Sequence, residues 1–114
     1  MRAIFYNGWL AAMADGDRVV LAEHIDVLER DHPLRRFVAA VCVWSCETDQ
    51  GNVSVRWDPG AAEFYARALL MPTELFDPLD RLLPDYELAE HFSVPLEQVQ
   101  ARREDLAAQR AAGG

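Results

Sequence analysis

Residues 35 to 47 read R-R-F-V-A-A-V-C-V-W-S-C-E, and the eight from Phe37 to Trp44 are all apolar. A helix on the surface of a small domain keeps a polar face, whereas a helix that is apolar all round belongs inside. The run is also far short of the roughly 18 apolar residues that a membrane span needs. It is therefore expected to be the central helix of a core. A chain of 114 residues has room for one core, because a domain of that size buries roughly 65% of the surface its unfolded chain exposes. The composition, 51% hydrophobic and 26% charged, is that of a globular domain.

The segments around this helix divide the chain into a β-rich part, 1–32, and a helical part, 33–110, of a single domain, with 111–114 as a disordered tail. Residues 3 to 6 and 9 to 13 mix aromatic and apolar side chains, and Arg18-Val19-Val20-Leu21-Ala22 is β-prone. Ala14-Asp15-Gly16-Asp17 separates the last two as a turn, so 8–22 reads as a β-hairpin. Pro33 suits the first turn of a helix running to about 47, with Asp31 or His32 as its cap. Residues 48 to 58 read as an extended segment, with Val53, Val55 and Trp57 alternating. Asp58-Pro59-Gly60 opens a second helix that Pro72 limits. Short helices follow over 74–83 and 85–92, and a last one starts near Ser93 or Val94 and runs to about Gln109. His24 falls in a loop on this reading, and Trp9 and Trp44 in hairpin or core packing.

Charge narrows the function classes. The formal net charge is -8, and all eleven basic residues are arginine. Such a chain is repelled by phosphate backbones, which argues against nucleic acid as a direct ligand. The start of the chain lacks the apolar region and cleavage site of a signal peptide, so a cytoplasmic location is expected, with no membrane partner.

Two stretches in the second half resemble a known family. A-E-F-Y-A-R-A-L-L-M-P (62–72) and E-L-A-E-H-F-S-V-P-L-E-Q-V-Q-A-R-R-E-D-L (87–106) are similar in order and spacing to the closing helices of the ImmA/IrrE metallopeptidase-like domains. The shared positions are Leu69-Leu70-Met71-Pro72, Leu88-Ala89, Phe92, Val94, Val99 and Leu106. Upstream, Arg35-Arg36-Phe37 resembles the lead-in to that family's His-Glu-x-x-His helix, whose two histidines hold zinc while the glutamate activates water. The resemblance implies a zincin-like α+β fold: a small antiparallel sheet packed on the central helix and the Leu-Leu-Met-Pro helix, closed by C-terminal helices. In register, the two histidines and the glutamate are replaced by Val41, Ser45 and Cys42, and the third ligand falls near Ala61. It therefore implies a member without zinc ligands and without peptidase activity. Relatives act on helix-turn-helix repressors of phage, mobile-element or stress genes. The implied function is thus a protein-binding module that regulates such a repressor.

Other readings of the residues stay open. Cys42 and Cys46 share one helical face and, with His24, His32 or Glu47, form an alternative zinc set for a metal-binding protein or metalloenzyme. Buried reduced thiols are the plainer reading, since a free cysteine packs as a small hydrophobe. Residues 85 to 110 also resemble a helix-turn-helix, but with six acids against three arginines. A self-associating protein, such as a homodimer, is a further alternative. Arg56 and Trp57 are candidate partner-binding residues, because both types concentrate in interface hot spots.

Overall fold

Asn7 and Gly8 have φ angles of 51° and 81°, the left-handed backbone that a two-residue hairpin turn requires at both central positions. In this computed structural model, which describes residues 2–15, 18–49 and 58–113, they join strands β1 (Arg2–Tyr6) and β2 (Trp9–Asp15). Strand β3 (Arg18–Leu21) pairs with the other side of β2, giving an antiparallel sheet in the order β1-β2-β3. The 8–22 hairpin is thus half of a three-stranded meander. Ile4 pairs with Ala12 and Phe5 with Leu10, so Ala11 is an extra residue on β2. That bulge lets Ala11 and Ala12 both face inward, each 1% exposed.

Six helices follow among the described residues: α1 (Glu23–Asp26), α2 (Pro33–Asp49), α3 (Pro59–Leu70), α4 (Thr73–Asp80), α5 (Asp85–Phe92) and α6 (Leu96–Gly113). The architecture is α+β, as expected. His24 lies in the single turn of α1, not in a loop, because Ile25 plugs the core and holds that turn. His32 precedes α2, and its Nδ1 accepts a hydrogen bond from the Leu34 N–H at 3.2 Å. At α3 the Asp58 carboxylate accepts from the Ala61 N–H at 3.1 Å, an N-cap followed by proline in the first turn.

Two expected boundaries shift. The central helix runs to Asp49, past 47; the rest of the segment expected to be extended, 50–57, lies outside the described residues. The expected tail begins inside α6, because Ala107, Ala108, Ala111 and Ala112 favour helix and Arg110 is held to Asp77 at 2.6 Å. Trp9 departs further, at 69% exposed, with its ring beside His24 and not in the core.

The central helix sits between the sheet and α3. Phe37, Val38 and Val41 pack with Ile4, Ala11, Ala12 and Ala14 of the sheet and with Ala62 and Ala66 of α3. A second cluster joins Met71, Phe76, Leu88, Phe92, Val94, Val99 and Leu106 across α4, α5 and α6. Leu70 packs on both clusters, and Met71 beside it is fully buried. This gives Leu-Leu-Met-Pro a structural role as the joint between them.

Arginines tie the elements together. Arg35 donates to the Asp26 and Leu28 carbonyls, fixing α1 to the start of α2. Arg36 donates to the Phe92 and Ser93 carbonyls at the end of α5. Arg67 of α3 forms a two-pronged pair with Asp105 of α6, at 2.6 and 3.0 Å, with the side chains only 12% and 11% exposed. Removing one member of so buried a pair leaves an uncompensated charge, which costs ~3 kcal/mol or more. Arg67→Ala should therefore lower the urea midpoint steeply, whereas an Arg67→Met/Asp105→Leu double variant should recover most of the loss.

Candidate functional site

The central helix is more open than its composition suggests. Phe37, Val38, Ala40, Val41, Cys42 and Ser45 are at most 5% exposed. Ala39 and Val43, four residues apart, nevertheless face outward, Val43 at 40%. With Cys46 and Glu47 they make one stripe along α2. Opposite the stripe stand Val19 and Leu21 of β3, and a groove of about 400 Å³ lies between them. Strand β3 pairs only with β2 among the described residues, so one side of its backbone has no sheet partner there.

The groove is almost wholly apolar. Its one charged residue, Glu47, closes one end and accepts a hydrogen bond from the Tyr65 hydroxyl of α3 at 2.8 Å. That carboxylate in turn raises the Tyr65 hydroxyl above the ordinary tyrosine range. Cys42 and Cys46 both line the groove, as their four-residue spacing implies, and neither is in a disulfide. Burial, reinforced by Cys46 nearby, pushes the Cys42 thiol up to about 12. At neutral pH it is a protonated thiol, and only the thiolate is a nucleophile or a metal ligand.

The positions matched to the zinc motif are packing positions. Val41 belongs to the core cluster, Ser45 is 1% exposed and Cys42 5%. Ala61 is half-buried in the first turn of α3, where its N–H serves the Asp58 cap. The alternative zinc set is not assembled. His24 lines a separate cavity of about 300 Å³ with Tyr6 and Trp9. His32, at the start of α2, is ten residues before Cys42, or ~15 Å along the axis. Among the described residues no group of three or more His, Cys, Asp or Glu is placed to hold a metal ion. Arg56 and Trp57 lie outside the described residues.

No known family model, curated protein or solved structure matches this chain.

The last two helices, α5 and α6, are joined by a tight turn. Ser93 takes a left-handed φ of 53° between them, and Val94 N–H returns to the Ala89 carbonyl at 3.0 Å. The arginines of α6 are occupied. Arg102 donates to the Met71 carbonyl at 3.0 Å, Arg103 reaches Asp80 and Asp85 at 2.6 Å each, and Arg110 reaches Asp77. The exposed positions on the first half of α6 include Glu97, Gln100 and Glu104. A surface of that kind repels phosphate. No helix of the described residues is long and apolar enough to cross a membrane.

The residues that sequence reasoning missed are Ala39, Val43, Val19 and Leu21. Their signal was present: Ala39, Val43 and Glu47 recur every four residues through the apolar run, so one stripe of it ends in a charge. What sequence alone did not show is that β3 stops short of covering that stripe. With Cys46 half-buried and Cys42 buried and protonated, a colourless thiol reagent at pH 8 should modify the native protein at Cys46 alone. Both cysteines should react after denaturation, as read by intact mass.

Proposed function

We propose that this chain is a catalytically silent, ImmA/IrrE-like protein-binding module that holds an extended segment of a partner in the groove between α2 and β3. The observation that carries the reading is the apolar stripe Ala39–Val43 standing exposed beside a strand edge with no sheet partner on that side among the described residues. An extended segment can add to such an edge through backbone hydrogen bonds while its alternate side chains enter an apolar groove. The positions that would carry peptidase chemistry hold Val41, Cys42, Ser45 and Ala61, which supply neither a zinc triad nor a base to activate water.

The partner we propose is a helix-turn-helix transcriptional regulator of a phage, mobile element or stress pathway. The resemblance of the Leu-Leu-Met-Pro and C-terminal helices suggests it, and charge supports it. A chain at -8 complements the basic face of a DNA-binding protein and steers it into encounter. The module then acts by occupying the regulator, with no direct nucleic-acid contact of its own.

Incorporating a photo-cross-linking residue at Val43 and irradiating the cells that produce the protein tests this reading. The expected adduct is one intact, basic, DNA-binding protein, lost when Val19→Asp is added on the facing strand. An adduct with a cleaved protein, or with a protein lacking any DNA-binding domain, would overturn the assignment.

A further inference from the structure

The direction of α2 across the sheet sets the order in which a segment lying in the α2–β3 groove meets its walls. The rings of Phe37 and Tyr6 lie with centroids 5.5 Å apart, and Leu34 shares a cavity with Trp9 and Ala11. Helix α2 therefore starts at the end of the sheet where Tyr6 pairs with Trp9. On β3, Leu21 pairs with Ala12 and lies nearer that end, whereas Val19 pairs with Ala14 and lies farther from it. The groove thus has Ala39 at its Leu21 end and Glu47 at its Val19 end. Ala39, Val43 and Glu47 recur every four residues, a step of ~6 Å along a helix. An extended chain advances ~6.6 Å every two residues, and those residues share a face. The two repeats agree to within about a tenth, so three successive inward side chains of an added strand fall beside Ala39, Val43 and Glu47 in turn.

We infer that the groove selects a partner segment of the pattern apolar-x-apolar-x-basic, read from N- to C-terminus; this rests on the reading of the groove as the dock for an extended segment. The first place is walled by Leu21 and Ala39 and the second by Val19 and Val43. A charged side chain in either would lose water and gain no partner. The third place meets Glu47, the one charged residue among the described residues lining the groove. The Tyr65 hydroxyl engages one oxygen of that carboxylate, Oε2. Arg18 of β3 does not compete for it, because it alternates with Val19 and turns to the opposite face of the sheet beside Asp15. An arginine or lysine at the third place therefore finds an acidic partner and a charge-assisted hydrogen bond. Direction follows from the sheet, which is antiparallel throughout. Antiparallel pairing is the more stable per residue, so the added strand runs against β3, along α2, and reaches Glu47 last. The basic residue consequently stands C-terminal to the apolar pair.

Fluorescence anisotropy of labelled heptapeptides tests the inference, with the whole chain titrated to about 1 mM so that millimolar affinities register. The probe is Thr-Leu-Thr-Val-Thr-Arg-Thr, beside the same peptide with Glu in place of Arg and the reversed order Thr-Arg-Thr-Val-Thr-Leu-Thr. The first should bind, and the other two should bind about fivefold more weakly or worse, the scale of an exposed ion pair. Glu47→Arg should exchange the preference between the Arg and Glu peptides. Glu47→Gln should erase it, and it decides the matter if Glu47→Arg loses its native circular dichroism. Binding that Val43→Arg abolishes, but that ignores the Arg-to-Glu exchange or the reversal, overturns the inference and leaves the groove as a dock. Binding by none of the peptides, or binding that Val43→Arg leaves unchanged, overturns the dock and the inference with it.

Discussion

Phe37, Val38 and Val41 reach from α2 into a space bounded by alanines on both sides: Ala11, Ala12 and Ala14 of the sheet, and Ala62 and Ala66 of α3. Small residues on the flanking elements let them approach closely, and the larger side chains of α2 fill the space between them. The bulge at Ala11 exists to turn two successive alanines of β2 toward the helix. The stripe of α2 that neither sheet nor α3 covers is left to line the groove, with Tyr65 of α3 meeting only its Glu47 end.

A helix so apolar has few side chains with which to orient itself, and the two arginines before Phe37 supply that. Arg35 holds the end of α1 and Arg36 the end of α5, each by donating to two carbonyls. These are helix ends, where backbone acceptors lack partners of their own. Arg67 and Arg102 tie α3 to the C-terminal helices, Arg67 by donating to the Asp105 carboxylate and Arg102 by donating to the Met71 carbonyl and the Thr73 hydroxyl. The three arginines of α6 in this acidic chain are likewise spent on internal ties. That is the physical reason the pair of α5 and α6 offers little to a phosphate backbone.

Much of this was legible in the residues. Asp58-Pro59 and Pro72 bracket α3 by capping and by the missing N–H of proline, and the apolar run marked α2 as central. The turn at Asn7-Gly8 is equally legible, since Asn-Gly is among the strongest hairpin signals, and it adds a second hairpin to the one expected over 8–22. Residue type alone puts Trp9 in packing, whereas its position two residues before the bulge leaves it 69% exposed at the rim. The groove was out of reach for a different reason. It is set by where the four residues of β3 end relative to α2, a tertiary relation that no local pattern encodes. The alternative zinc set failed on geometry as well, since helix rise separates His32 from Cys42 whatever their chemistry.

The central claim is that Val41 and Ser45 are core positions and not an empty metal site. Thermal unfolding of a Val41→His/Ser45→His variant, with and without zinc, tests it most directly. If these side chains fill the core, two imidazoles there bury polar groups without partners, and the melting temperature should fall by about 10 °C or more with no recovery on adding zinc. A variant that melts like the wild type and gains stability with zinc would contradict the account. Binding to the native state alone would then show that a metal site is still formed there.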